Sequence, residues 1–254
     1  MKRKTIDRMS ASHKKPEVWA HRGASASAPE NTMPAFLLAL EQEADGIELD
    51  VQMTADKRLV VLHDERIDRV SDGSGFVKDL TIGELRRFNF NLQFPQYGRV
   101  ELTTLEDVLD LILTSNMKLN IELKNNVILY PGLEEHVRKF VQYKGLEKQV
   151  IVSSFNHESL QLLGSLWPSV ERGLLYSDGW LEVAAYAKRL GVSALHPPFW
   201  LLRDGELVQA AHEAGLKVHV WAANTREELL RCKVLGVDAV ITNDPALGRE
   251  VMDA

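Results

Sequence analysis

A single α/β domain closed as a (β/α)₈ barrel is the fold class that three observations predict. Apolar strand-like runs alternate with amphipathic helical stretches, the pattern of parallel strands joined by helical crossovers. Eight such units fit within the 254 residues, an ordinary length for a closed α/β barrel. No G-x-G-x-x-G occurs in the chain, whereas the competing doubly wound open sheet usually carries that phosphate loop.

Strands are expected over 17–20, 46–50, 119–123, 150–153, 172–175, 193–195, 217–220 and 239–242. Helical patterns fall between them over 33–42, 105–113, 133–143, 157–166, 181–190, 205–214 and 226–235, with 245–252 as the closing helix. In 133–143, Leu133, Val137, Phe140 and Val141 mark one buried face. Gly191, Gly215 and Gly236 each follow a helical run, where a left-handed C-terminal residue is expected. Thr32, just before Met33-Pro34, suits a helix N-cap, and Thr104 with Asp107 has capping-box character.

Two segments break the rhythm. Residues 51–54 and 59–63 are both strand-like, and the polar-biased 55–58 between them suggests a hairpin that returns His63 beside Asp50. Residues 65–103 are too long for an ordinary loop and contain Ser71-Asp72-Gly73-Ser74-Gly75, Phe94-Pro95 and a short helical run at 82–88. They are expected to form a small inserted subdomain at the C-terminal rim of the barrel.

Composition narrows the function. A net charge of −6 argues against a general nucleic-acid binder, so an anionic ligand must be met by local positive charge. The single cysteine, Cys232, cannot form an internal disulfide and suits a reducing compartment, most simply as a structural thiol on a helix. Residues 1–15 are polar and basic without the apolar centre of a secretory signal, and are expected to be a flexible tail ahead of a domain at 16–254. No apolar run approaches the length of a membrane span. A soluble, cytoplasmic protein is the expectation.

Four short pieces carry the chemistry: His21-Arg22-Gly23, Glu48-Leu49-Asp50, His63-Asp64 and Glu122-Leu123-Lys124. Each sits at or just after a predicted strand, and active sites of such barrels lie at strand C-termini. Glu48 and Asp50 are two apart on a strand and so share a side, with Leu49 turned toward the helices. Glu122 and Lys124 repeat that spacing on another strand. Either these acids are salt-bridged surface groups, or Glu48, Asp50 and Glu122 converge on a hard cation such as Mg²⁺ or Ca²⁺. His21 and His63 can each give or take a proton near neutrality, and two on opposite sides of a phosphorus atom would permit in-line attack with protonation of the leaving group. Arg22 offers a planar fork for two phosphate oxygens, and Lys124 a point charge beside it. Glu30 is placed to partner Arg22 or a histidine. Trp221 either walls the pocket or packs in the core. Phe155, Phe199 and Trp200 sit at strand ends where they could shape the mouth. His196 ends a strand and could line the pocket, while His219, between Val218 and Val220, is read as structural.

These motifs, in order and with their spacing, resemble the glycerophosphodiester phosphodiesterase family of PLC-like phosphodiesterase barrels. The resemblance runs through His21-Arg22-Gly23, Ala28-Pro29-Glu30-Asn31-Thr32, Gly46-Ile47-Glu48-Leu49-Asp50-Val51, Val61-Leu62-His63-Asp64 and Ile121-Glu122-Leu123-Lys124. It continues through Ser153-Ser154-Phe155, Val220-Trp221 with Asn224, and Thr242-Asn243-Asp244-Pro245. It implies a TIM barrel with a divalent ion, Mg²⁺ or Ca²⁺, held by Glu48, Asp50 and Glu122. It further implies that His21 and His63 are the general acid and base, and that Arg22 and Lys124 bind the phosphate. The implied reaction is hydrolysis of a glycerophosphodiester to an alcohol and sn-glycerol 3-phosphate. Leu123 and Ala222-Ala223 depart from the family's usual residues without touching the chemistry. Two rivals stand beside this reading. One is a lysophospholipase D-like activity using an apolar rim groove of Phe90, Phe94, Phe199 and Trp200. The other is a non-catalytic barrel that binds phosphodiesters or a protein.

Overall fold

The computed structural model describes residues 15–254. The described residues form one sheet of β1 (Glu17–His21), β2 (Gly46–Met53), β3 (Leu59–Val61), β4 (Lys118–Leu123), β5 (Val150–Ser154), β6 (Glu171–Leu175), β7 (Ala194–His196), β8 (Lys217–Val220) and β9 (Ala239–Thr242). All but β3 run parallel, and β1 pairs with both β2 and β9, which closes the barrel. The helices are α1 (Met33–Glu41), α2 (Ile82–Leu85), α3 (Leu105–Leu113), α4 (Leu133–Lys144), α5 (His157–Leu166), α6 (Val183–Leu190), α7 (Glu206–Glu213), α8 (Arg226–Leu235) and α9 (Pro245–Asp253). Except for α2, each follows a barrel strand or its rim excursion, so the chain is a (β/α)₈ barrel with a small insertion at the C-terminal rim. The expected tail falls outside the described residues, save for Lys15, which pairs with Asp253.

The strand patterns predict the layers well. Leu49, Val51, Ile121 and Leu123 pack outward with Phe36, Leu109 and Leu133 of the surrounding helices. Inward-facing residues alternate with them, as the two-residue period of a strand requires. β2 runs beyond the expected strand because the hairpin prolongs it: Val51 pairs with Val61 and Met53 with Leu59 on antiparallel β3. That hairpin also divides two cores. Leu59 and Val61 join the barrel core, whereas Val60 and Leu62 face Ile67, Val77, Leu85, Phe90, Val100 and Leu102 of the insertion. Phe90 is therefore occupied as core and is not available to a rim groove.

Local differences from expectation have local causes. The helix expected from 181 begins at Val183, because Glu182 adopts a left-handed backbone with φ 55°. The run at 82–88 is helical only to Leu85. Thr104 and Asp107 form the expected reciprocal capping box. Thr32 does not cap α1 with its side chain; its hydroxyl donates to the Pro29 carbonyl at 2.6 Å. The Met33 amide instead donates to Thr103 Oγ1 at 3.1 Å, so the far end of the insertion supplies the cap.

Cys232 is buried on α8, and burial pushes its thiol up to about 12, which fits a structural role. His196 departs from expectation. Its ring is fully buried inside the barrel and bonds His219 at 2.9 Å, Nε2 to Nδ1. A Cβ on Gly173 would overlap that ring, so the glycine makes the space. His196 thus lies in the barrel core and offers no surface to a pocket.

Burial lowers His196 to about 3 and pushes His219 well below its ordinary value, so both rings are neutral in the folded chain. Unfolded histidine takes up a proton near pH 6.5. The pair's contribution to stability is therefore present above that pH and is lost as pH falls from there toward about 3. The urea midpoint of the protein is expected to drop between about pH 7 and about pH 5. It should drop less in a His196→Gln/His219→Gln variant, and equal slopes in the two proteins would contradict this account.

Candidate active site

The acidic cluster follows from strand register. Asp50 on β2 pairs with Glu122 on β4, and Glu48 on β2 pairs with His21 on β1. Carboxylate oxygens of Glu48, Asp50 and Glu122 lie within 4.8 Å of one another, and all three residues are buried. Two cations stand over them. Lys124 Nζ donates to Glu122 Oε1 at 3.0 Å and lies 3.8 Å from Asp50 Oδ1. Arg22 Nε lies 3.4 Å from Asp50 Oδ2, and Arg22's amide donates to Glu48 Oε2 at 3.1 Å. Both the side chain and the amide of Arg22 can reach the cluster because Arg22 takes a left-handed turn with φ 57°. Gly23 follows with φ 81°, where a Cβ would sit 2.7 Å from the Ala35 backbone.

Three carboxylates and two cations leave the cluster one negative charge in excess. Burial, and then repulsion from Asp50 and Glu122, pushes Glu48 well above the usual carboxylate range. Burial and then Asp50 raise Glu122. Burial acts on Asp50 in the same sense, but Arg22 and Lys124 outweigh it and hold that carboxyl below its ordinary value. Asp50 Oδ1 is buried and accepts no hydrogen bond among the described residues. Hard oxygen donors in excess negative charge, one of them accepting no hydrogen bond, are a donor set suited to a hard divalent cation. The residues present fit such an ion.

Each histidine is oriented through Nδ1. His21 Nδ1 lies 2.6 Å from Asn243 Oδ1, with Nε2 3.9 Å from Glu48 Oε2. Burial and then the Arg22 charge lower His21 to about 4, so the ring is neutral. Donation from Nδ1–H to the amide oxygen leaves Nε2 as a free base over the cluster. His63 Nδ1 lies 2.6 Å from Asp64 Oδ1, so the second ring is also held through Nδ1. The strand hairpin does bring His63 to the barrel mouth: the Leu62 amide donates to the Asp50 carbonyl at 3.0 Å.

One cavity joins these groups. His21, Arg22, Glu48, His63 and Glu122 line it together with Asn120, Phe155, Leu175, Trp221 and Ile241. Phe155 meets Trp221 edge-on at 5.7 Å, and Trp200 also meets Trp221 edge-on at 5.8 Å. The Trp221 indole N–H donates to the His196 carbonyl at 2.7 Å, which fixes the wall and gives His196 an indirect place beneath it. Lys124 reaches the carboxylates from beside the cavity, and Glu30 accepts from Arg22 Nη1 at 3.0 Å. A larger hollow of about 180 Å³ opens at the opposite end of the barrel. Its lysines are already paired, Lys15 with Asp253, Lys118 with Glu17 and Lys217 with Glu171, and His212 Nε2 lies 2.9 Å from Asp238 Oδ2.

Several polar groups here have no role in the sequence reading. Asn31 Nδ2 donates to Asp50 Oδ2 at 2.9 Å, and Asn243 holds His21. Buried Gln52 donates Nε2 to the carbonyls of Leu62, His63 and Asp64 at 2.9, 3.2 and 2.6 Å, while Tyr130 donates its hydroxyl to Gln52 Oε1. Gln52 and Asn120 each stand two residues from a predicted site acid, so the strand period that selected Glu48, Asp50 and Glu122 also points to them. Asn31, Asn243 and Arg69 lie on loops, and no periodicity points to those.

A barrel enzyme that gathers carboxylates, imidazoles and cationic side chains at its strand ends is the class this fold and site define. Residues 21–247 match the Glycerophosphoryl diester phosphodiesterase family. A glycerophosphodiester phosphodiesterase of Caldanaerobacter subterraneus subsp. tengcongensis is 42% identical over 229 residues, which span 90% of this chain and 94% of that relative. One from Bacillus altitudinis is 39% identical over 234 residues, spanning 90% of this chain and 95% of the relative. An Oleispira antarctica phosphodiesterase, solved in complex with the product sn-glycerol-3-phosphate, superposes with a TM-score of 0.84 at 29% identity, covering 94% of this chain and 97% of that one. The chain belongs to the glycerophosphoryl diester phosphodiesterase family and is a phosphoric diester hydrolase.

The carboxylate repulsion can be read directly. In metal-free protein, Asp50→Asn is expected to bring the raised Glu48 titration down toward the usual range, because it removes one neighbouring charge. Carbon-13 NMR of labelled glutamate carboxyls would measure it. An unmoved Glu48 signal would mean that the two groups do not interact.

Proposed function

We propose that the protein hydrolyses glycerophosphodiesters to an alcohol and sn-glycerol 3-phosphate, assisted by a divalent ion, Mg²⁺ or Ca²⁺, at Glu48, Asp50 and Glu122. The observation that carries this reading is the convergence of three buried carboxylates with Arg22 and Lys124, beside a cavity that two oriented imidazoles line. The product-bound relative supports the substrate class.

A phosphodiester brings one negative charge, and more gathers on its non-bridging oxygens as the reaction proceeds. Arg22 and Lys124 are held in place before that happens, which is where preorganised electrostatics lowers a barrier most. When bound, the divalent ion would supply Lewis-acid stabilisation of the same charge and satisfy the excess carboxylates. One of His21 and His63, with Nε2 unprotonated, takes a proton from the attacking water, and the other, carrying a proton on Nε2 as well as on Nδ1, gives it to the departing alcohol oxygen as the P–O bond breaks. If the substrate's own glycerol hydroxyl attacks instead, the alcohol leaves a cyclic phosphate, which a water then opens to sn-glycerol 3-phosphate. Trp221 and Phe155 pack the glycerol carbons and keep bulk water from the cavity.

A binding-only barrel would not need imidazoles fixed by Asn243 and Asp64 with their Nε2 atoms left free. The lysophospholipase D-like alternative keeps one specific feature, the exposed Trp200 against Trp221 at the mouth. We place the protein in the cytoplasm, without nucleic-acid partners, on its single buried cysteine and acidic balance. No helix among the described residues is long and apolar enough to cross a membrane.

Excess EDTA is expected to abolish release of glycerol 3-phosphate from glycerophosphocholine, and added Mg²⁺ or Ca²⁺ to restore it. Either ion should also raise the melting temperature of the chelated protein, and Glu122→Gln should erase that rise. Full turnover in chelator would end the metal assignment. His21→Ala and His63→Ala should each lower the rate at least ~10²-fold; a loss of only a few-fold would remove that histidine from proton transfer. Faster turnover of lysophosphatidylcholine than of glycerophosphocholine would favour the lipid reading instead.

A further inference from the structure

The insertion sends one side chain toward the catalytic centre. Arg69 Nε donates to Asp64 Oδ2 at 2.6 Å, and its Nη2 to Asp64 Oδ1 at 3.1 Å. The same guanidinium donates to Glu30, from Nη1 to Oε2 at 2.7 Å and from Nη2 to Oε1 at 2.8 Å. The two carboxylate oxygens that share Nη2 are the ones turned to the site. Asp64 Oδ1 also takes His63 Nδ1 at 2.6 Å, and Glu30 Oε1 also takes Arg22 Nη1 at 3.0 Å.

From this geometry we propose that Arg69 is a positioning residue, one planar fork that sets His63 through Asp64 and Arg22 through Glu30. The inference rests on the proposed roles of His63 and Arg22. A half-exposed ion pair alone would contribute little to stability. Arg69 differs because both of its carboxylate partners also hold a group of the reaction, and because an ammonium could not present the same fork to both. The Arg69 hydrogen bond and then that of His63 keep Asp64 ionised, at about 2 despite partial burial, so it remains an acceptor for the imidazole. The insertion also braces the loop before α1 and the helix start: the Tyr97 hydroxyl donates to the Ser27 carbonyl, and the Met33 amide donates to Thr103 Oγ1. This bracing explains why a rim excursion is built against the loop that carries Arg22. Proton-transfer group and anion fork are then registered to each other by a residue that touches neither substrate nor metal.

The test is a pair of double-mutant cycles on glycerophosphocholine turnover in saturating divalent ion. Arg69→Ala is expected to lower kcat at least ~10-fold and to raise KM several-fold, since displacement of about 1 Å at a reacting group costs up to ~10²-fold. Arg69→Lys keeps the charge and loses the fork, so it should resemble the alanine variant within about threefold. The kcat losses of Arg69→Ala and Asp64→Asn should fail to add, and the KM rises of Arg69→Ala and Glu30→Gln should fail to add. Unchanged kinetics in Arg69→Ala, recovery by lysine, or additive losses would overturn the inference. His63→Ala, assayed alongside, separates the two failures. An active His63→Ala overturns the reading of His63 and this inference with it, whereas an inactive His63→Ala beside a fully active Arg69→Ala overturns this inference alone.

Discussion

Three carboxylates of like charge share a buried space at the mouth of the barrel, and the surrounding structure is organised by that conflict. Removing an ion from water costs several kcal/mol even after relaxation. Placing three acids together multiplies the cost unless positive charge is brought to them. Arg22 and Lys124 meet part of the demand, and both are themselves mostly buried. What they leave uncompensated is negative charge, which favours a cation beside the acids. Such an arrangement persists only because the closed sheet behind it is packed on both faces and cannot relax to let the acids separate.

Strands and loops divide the work. β2 and β4 hold Glu48, Asp50 and Glu122 through parallel register, which resists displacement because each strand is hydrogen-bonded on both sides. The two imidazoles come from less regular places, the end of β1 and the end of a hairpin, and each needs a partner to fix its ring. Asn243, on the loop after the last strand, holds His21 from a position 222 residues away. Gln52 fastens the backbone of His63 and Asp64 with a single side-chain amide and is itself held by Tyr130. The insertion adds a third support from above. Rigid acids and braced imidazoles together give the cluster its fixed geometry.

Much of this architecture is written in local patterns. All eight barrel strands, the hairpin and the excursion at 65–103 follow from apolar periodicity and turn chemistry, and the helices over 105–113, 157–166 and 226–235 match to the residue. The acids that cluster are those spaced two apart at strand ends. His196 shows where local pattern stops. A histidine closing a strand reads the same whether its ring points at a cavity or into the core, and only its contact with His219 and the space above Gly173 decide the matter. Thr32 makes the same point about caps, since the acceptor of the Met33 amide is Thr103, some seventy residues on.

By itself, then, the sequence determined the fold class, the order of elements and the residue types that converge, because strand period and turn preference depend on near neighbours alone. The tertiary structure decided which carboxylate oxygen accepts no hydrogen bond, which nitrogen of each imidazole is held, and how Arg69, Glu30 and Asp64 join into one bridge. These outcomes depend on distances between segments remote along the chain. Only closure of the barrel and packing of the insertion against its rim set those distances.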